Sequence, residues 1–303
     1  MEEQKNKFLI VVIGPTAIGK TALSINIAQH FHCEIISCDS RQFFREMTIG
    51  TAVPSEAELA AAPHHFIHNK SVFENYTVGE FEKEAISKLD LLFKSNDYAI
   101  LVGGSGLYVD AVLKGFDEFP DIDISVRNVI NERYEKSGIL YLQDELQKLD
   151  PEYFSVVAKE NPQRLMRALE VCIGTGKPYS SFLNQKKNQR NFIPIVIGLE
   201  ADREIIYNCI NQRVDMMIDS GLLAEAEKLY PHKKLNALQT VGYRELFEYF
   251  DGQFTLDFAI SEIKKNTRRF AKRQLTWFRR NENAKWFDYL TPASEITAYI
   301  ENR

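Results

Sequence analysis

Six apolar residues in a row, Phe8-Leu9-Ile10-Val11-Val12-Ile13, precede a glycine-rich turn. The stretch 22–31 then places Leu23, Ile27 and Phe31 at helical spacing. An unbroken apolar run of that length predicts a strand covered on both faces, as in a parallel sheet. Further strands are predicted at Glu34-Ile35-Ile36-Ser37, over Tyr98–Val102 ending in Gly103-Gly104-Ser105-Gly106, and over 192–199. Thr77-x-x-Glu80 is a capping box that opens a helix reaching about residue 95, and 107–113 reads as a helix closed by Gly115. Over 116–191 strand patterning disappears. Pro120, Gly138, Asp150-Pro151, Asn161-Pro162 and the stretch from Gly174 to Pro178 punctuate helices instead. Asn161 with Pro162 makes a cap and first turn for the helix carrying Leu165, Ala168, Leu169 and Cys172. Beyond 199 the pattern predicts helices only.

The turn after the first strand reads Gly14-Pro15-Thr16-Ala17-Ile18-Gly19-Lys20-Thr21. Strand, glycine-rich turn and helix in that order make a phosphate cradle. Successive backbone N–H groups face one anion, and the helix N-terminus adds partial positive charge. In such a loop the Lys20 ammonium reaches the outer phosphate and the Thr21 hydroxyl ligates Mg²⁺. Alone, it implies nucleotide binding, ATP or GTP. The fold expected is α/β: a P-loop nucleotide-kinase-like parallel sheet core with a helical insertion domain. Residues 1–115 with 192–303 would form the catalytic core and its C-terminal helices, and 116–191 the insertion.

What happens to the bound phosphate depends on a carboxylate. A nucleotide hydrolase of this architecture carries an Asp where a core strand ends, yet Ala99-Ile100-Leu101-Val102 runs straight into Gly103-Gly104. The carboxylate stands instead after the second strand, at Asp39. That suits a transferase with a bound acceptor better than a motor or switch. The bland reading of Asp39 is a turn cap with Ser40.

Composition excludes more than it selects. With 303 residues, 45% hydrophobic, the chain can bury a large core. A net charge of −5 argues against a wholly basic nucleic-acid binder but leaves room for a local basic surface. Lys264, Lys265, Arg268, Arg269, Lys272, Arg273, Arg279 and Arg280 supply one, interleaved with Ile260, Ile263, Phe270, Trp277 and Phe278 for packing. A merely solvated helix face is the competing reading. Cys33, Cys38, Cys172 and Cys209 show no CxxC pairing and suit a reducing compartment. The first apolar stretch is too short for a signal peptide or a membrane span, so a cytoplasmic protein is expected. His64 and His65 are adjacent, so their side chains diverge, and no metal site is expected there.

Asp39-Ser40-Arg41-Gln42, Gly50-Thr51-Ala52-x-Pro54, Pro63-His64-His65, Gly103-Gly104-Ser105-Gly106-Leu107-Tyr108, Gln163-Arg164-x-x-Arg167-Ala168-Leu169-Glu170, Gly242-Tyr243-x-Glu245-Leu246 and Lys272-Arg273-Gln274-x-Thr276-Trp277-Phe278-Arg279 occur in that order. With the phosphate loop they strongly resemble the tRNA dimethylallyltransferases (tRNA isopentenyltransferases), from Ile10 to about Arg280. Val53 stands where that family carries Lys, Ser105 where Thr is commoner and His68 where Asp often follows.

The resemblance implies transfer of a five-carbon allylic group from dimethylallyl diphosphate to N6 of adenine 37, in tRNAs reading codons that begin with U. It implies a monomer using Mg²⁺, with the tRNA anticodon stem-loop as partner. The loop from Gly14 to Thr21 becomes a clamp on a leaving group. Asp39 is then the general base, Thr16 a donor to the departing oxygen, and Arg213 a further contact to the diphosphate. By spacing alone Arg213 could equally be a surface ion pair. Ser40, Arg41 and Gln42 lie beside the acceptor base, where an amide such as Gln42 can read an adenine edge. Ser105, Arg127, Gln163, Arg164, Leu165, Met166 and Arg167 are implied on the RNA, together with Lys272 and Arg273. Two other readings compete: a P-loop kinase or prenylation of a free adenine nucleotide, and a nucleotide-responsive RNA binder without catalysis. A free nucleotide needs neither insertion nor basic helix; an inactive binder needs no Lys20, Thr21 and Asp39 together.

Overall fold

The computed structural model describes residues 6–184 and 189–303. Among them β1 (Phe8–Ile13), β2 (Ile35–Ser37), β3 (His64–His65), β4 (Tyr98–Val102), β5 (Ile193–Glu200) and β6 (Lys285–Asp288) form one parallel sheet in the order β3-β2-β4-β1-β5-β6. The helices are α1 (Lys20–Phe31), α2 (Glu56–Ala61), α3 (Val78–Leu92), α4 (Gly106–Lys114), α5 (Ile124–Leu149), α6 (Pro151–Val156), α7 (Pro162–Thr175), α8 (Arg203–Asp219), α9 (Leu222–Leu229), α10 (Tyr243–Phe250), α11 (Leu256–Phe278) and α12 (Ala293–Glu301).

The apolar run of β1 has its cause in the sheet. β1 lies between β4 and β5, with Val11 in register with both Leu101 and Val196. Ile10 and Val12 pack into one core with Ile27 and Ile197, while Leu9, Val11 and Ile13 pack into a second core with Phe81 and Leu101. Burying each such side chain contributes about 1.5–3 kcal/mol, so this strand anchors both faces. The Thr77 capping box forms as expected: Glu80 N donates to Thr77 Oγ1 at 3.2 Å and Thr77 N to Glu80 Oε2 at 2.6 Å.

Two strands depart from the sequence expectation. β6 pairs with β5, Gly198 opposite Trp286, in a region read as helical throughout. It is an edge strand of four residues with only Phe287 buried, too short for alternation to register. β3 has two residues beside β2. His65 Nε2 lies 2.5 Å from Glu34 Oε2, and no group of three or more His, Cys, Asp or Glu side chains suited to a metal occurs among the described residues.

The chain divides into two compact units, Met1–Lys114 with Arg190–Arg303, and Gly115–Gln189. The second is a helical unit around Ile130, Leu142, Leu146, Leu165, Met166 and Leu169. Asp150, buried there, caps α6 through Tyr153 N at 2.9 Å and accepts from Ser180 N at 2.6 Å. Gly138 breaks α5 with φ +69°. No described helix is long and apolar enough to cross a membrane.

Candidate active site

The phosphate loop leaves the C-terminal end of β1 and opens α1. Gly14 has φ +145°, and a Cβ there would lie 2.7 Å from Leu199 O, so only glycine lets loop and β5 pass so closely. A chamber of about 410 Å³ lies over the loop, lined by Thr16 through Thr21 together with Glu58, His64 and Arg213. Lys20 Nζ donates to Pro15 O at 2.7 Å. Desolvation, and next the Arg213 charge, push the Lys20 pKa down to about 8, against an opposing pull from Asp39. The Thr21 hydroxyl has no hydrogen-bond partner among the described residues and lines this chamber, a fit to a metal ligand.

A second chamber, about 470 Å³, adjoins it, a volume suited to a small organic ligand. One wall is the face of α8 that carries Ile210, Arg213, Val214 and Met217, spaced i, i+3, i+4 and i+7. Another is α11, through Ile263, Thr267, Phe270, Gln274 and Trp277. Tyr108 of α4 and the loop Gly50-Thr51-Ala52 complete it. The Trp277 indole is pinned by Nε1 donating to Asp110 Oδ2 at 2.8 Å.

Thr16, Asp39, Thr51, Gly104 and Arg213 line both chambers. At this boundary Arg213 Nη1 donates to Thr16 Oγ1 at 3.2 Å. A guanidinium only donates, so the Thr16 hydroxyl accepts there and keeps its own proton for another acceptor. Burial lowers the Arg213 pKa, with Asp39 opposing. Asp39 Oδ1 accepts from Arg41 N at 3.1 Å. The turn-cap role is therefore real, and it occupies one carboxylate oxygen only. The other has no hydrogen-bond partner among the described residues. Thr16 N donates to Gln274 Oε1 at 2.9 Å, and Gln274 Nε2 donates to Gly104 O at 2.9 Å.

The other expected site residues divide. Ser40 N and Ser105 Oγ bond at 3.1 Å beside the second chamber. Arg41 lines it but donates to Asn236 O at 3.1 Å and Ala237 O at 2.9 Å, so it braces the loop. Gln42 lines the phosphate chamber, with its amide committed: Nε2 donates to Thr51 O at 3.2 Å and Ala52 O at 3.0 Å, and Oε1 accepts from Ser37 Oγ at 3.2 Å. Reading an adenine edge would require releasing at least one of the Nε2 bonds. In the helical unit Arg127 donates to Glu170 at 3.1 Å and to Gln163 at 2.9 Å. Arg164 is exposed, and Arg167 pairs with Glu170 at 3.2 Å. Leu165 and Met166, expected on the RNA, are core residues of that unit, and their side chains are unavailable. The basic cluster also splits. Lys264 and Arg268 bond to Asp215 at 2.6 Å and Asn211 at 2.7 Å, whereas Lys272 and Arg273 are exposed and Arg273 lines the second chamber.

Sequence reasoning missed two supports. Glu225 accepts from Thr48 N at 3.0 Å, Ile49 N at 2.8 Å, Gly50 N at 2.9 Å and Tyr243 Oη at 2.6 Å, fixing the loop that walls the second chamber. No local signal marks it, because its partners lie far away in sequence. Gln274 does leave a trace. It stands on the buried stripe of α11, three residues after Ala271 and four before Phe278, where an apolar side chain belongs.

A family model described as IPP transferase matches residues 42–281. The chain is 71% identical over 300 residues to a tRNA dimethylallyltransferase of Flavobacterium johnsoniae, covering 97% of each. It is 45% identical over 294 residues to tRNA dimethylallyltransferase 1 of Phocaeicola vulgatus, covering 97% of this chain and 98% of that one. The solved tRNA isopentenylpyrophosphate transferase of Bacillus halodurans superposes with a TM-score of 0.72 at 37% identity, over 98% of this chain and 96% of that one. A structure of a eukaryotic dimethylallyltransferase acting on tRNA superposes with a TM-score of 0.82 at 25% identity, over 98% and 80%. With the P-loop α/β core and its two-chambered site, these similarities show that the chain is a prenyltransferase and belongs to the tRNA dimethylallyltransferase, or IPP transferase, family.

Proposed function

We propose that the protein transfers the dimethylallyl group of dimethylallyl diphosphate to N6 of adenine 37 in the anticodon stem-loop of tRNAs reading codons that begin with U, acting as a cytoplasmic monomer. The observation that carries the reading is the shared boundary. A phosphate chamber and an organic chamber meet at a hydroxyl, a carboxylate and a guanidinium, Thr16, Asp39 and Arg213.

An allylic diphosphate ionises when its leaving group is stabilised. Lys20 and the amides from Ala17 to Thr21 take the diphosphate, and Arg213 supports the developing charge from the boundary. Thr16, whose hydroxyl accepts from Arg213, directs its own proton at the oxygen leaving carbon. Mg²⁺ would be held by the Thr21 hydroxyl and diphosphate oxygens, where it neutralises part of the charge on the leaving group. The prenyl carbons pack against Ile210, Val214 and Met217. The adenine, swung out of the anticodon loop, enters the same chamber beside Trp277 and Tyr108. Its amino lone pair is delocalised into the purine. The unpartnered Asp39 oxygen removes an N6 proton as the C–N bond forms. Lys272 and Arg273 meet phosphates of the RNA.

The test is incubation with Mg²⁺, radiolabelled dimethylallyl diphosphate and either unmodified tRNA or AMP. Label is expected in tRNA carrying adenine 37 and absent when that base is guanine. Label in AMP, or phosphate transferred from ATP, overturns the reading. Asp39→Ala is expected to slow transfer roughly 10²–10⁴-fold with pyrophosphate affinity unchanged; near-normal turnover removes Asp39 as the base.

A further inference from the structure

Gln274 is buried, and its two bonds fix its orientation without ambiguity. A backbone N–H can only donate and a backbone carbonyl can only accept. The Oε1 end must therefore face Thr16 N, at 2.9 Å, and the Nε2 end Gly104 O, at 2.9 Å. There is no slack on the glycine side, since a Cβ on Gly104 would lie 2.2 Å from Gln274 Nε2. Three elements meet on this one amide: the phosphate loop, the turn after β4, and α11. Glutamate could accept from Thr16 N but would set an oxygen against the Gly104 carbonyl. Methionine fills the space and makes neither bond.

The bond to Thr16 has two consequences. It withdraws the Thr16 N–H from the anion, so the amides that face phosphate start at Ala17. It also fixes the backbone from which the Thr16 hydroxyl projects, while Arg213 holds that hydroxyl at 3.2 Å. Backbone and side chain of one boundary residue are thus gripped from α11 and from α8. We propose that Gln274 is a positioning residue of the transfer reaction, holding Thr16 so that its hydroxyl proton meets the leaving oxygen. This rests on the leaving-group role of Thr16 proposed above.

A double-mutant cycle tests it, with single-turnover transfer at saturating substrates as the readout, and thermal melting and pyrophosphate affinity as controls. Gln274→Met is expected to slow transfer about 10- to 100-fold, the scale of a misplaced catalytic donor, while pyrophosphate affinity changes less than about threefold. In the Thr16→Ala background the same substitution should cost less than about threefold, because its effect runs through the missing hydroxyl. Gln274→Leu, which is likewise uncharged and makes neither bond, is a second variant should Gln274→Met melt near the assay temperature, and its penalty should likewise vanish in Thr16→Ala. Equal penalties in both backgrounds overturn the positioning role alone. A Thr16→Ala enzyme as fast as the parent overturns the leaving-group role of Thr16, and the inference with it. Full-rate Gln274 variants overturn the inference whatever Thr16 does.

Discussion

The two chambers are built on different principles. The phosphate chamber has its base in one short stretch, Thr16 to Ala22, where β1 passes into α1. That base offers backbone amides, a helix N-terminus and one lysine from neighbouring positions, while Asp39, Glu58, His64 and Arg213 reach the chamber from elsewhere. The organic chamber is assembled from α4, α8, α11 and the loop at 50–52, which span more than two hundred residues of chain and are brought together only by packing. Grip on a phosphate needs a fixed backbone curl, which a short stretch can encode. A shaped apolar wall needs side chains from several directions, which a short stretch cannot provide. Thr16, Asp39 and Arg213 stand where the two constructions meet.

If the division holds, removing the lysine should abolish chemistry and spare the RNA side. Lys20→Met is expected to lower kcat/KM for dimethylallyl diphosphate about 10³-fold, near 4 kcal/mol, with tRNA affinity unchanged; a loss below tenfold would mean the loop is not the anion grip. Glu225→Gln addresses the other construction. Turning one oxygen of a carboxylate that holds three backbone N–H groups into a donor should cost about 2–3 kcal/mol of stability, read from the urea-unfolding midpoint. Tyr243→Phe should cost about 1 kcal/mol. An unchanged midpoint for Glu225→Gln would show that the loop at 48–52 is held by something else.

The depressed Lys20 pKa, about 8, sharpens the contrast by pH. The free protein loses the ammonium as pH rises through that value, so pyrophosphate affinity should hold below it. Above it, affinity should fall toward tenfold, about 1.4 kcal/mol, per pH unit. Titrations of Lys20→Met in parallel cancel the ionisation of pyrophosphate itself; the same alkaline loss in that variant would clear Lys20. The smallest effect belongs to the outer surface. Lys272→Ala should weaken tRNA binding a few-fold and reduce the slope of log affinity against log salt by about one, with pyrophosphate affinity untouched. An unchanged slope would move the RNA contact off α11.

The family motifs turn out to mix contact with construction. Tyr243 and Glu245 belong to a motif that reads like a site, yet both are buried. Glu245 accepts from Gly242 N at 2.8 Å and from Asn266 Nδ2 at 2.8 Å, and the pair braces α10 and α11. Within Gln163–Arg167 the exposed Arg164 and the buried Leu165 are adjacent but face opposite environments. Helical spacing separates them only once the apolar face is known.

What the amino-acid order determined by itself is the part governed by short-range rules. The buried strand Phe8–Ile13, the phosphate loop, the Thr77 cap, the Asn161-Pro162 helix start and the placement of Asp39 after a strand all depend on residues a few positions apart. Tertiary structure decided which of the nominated polar groups are free. Arg41 and Gln42 are spent on backbone carbonyls, Lys272 and Arg273 are left outward, and Thr16 is held from both sides by Arg213 and Gln274. A hydrogen bond's partner is set by where distant segments pack, and that distance is invisible along the chain.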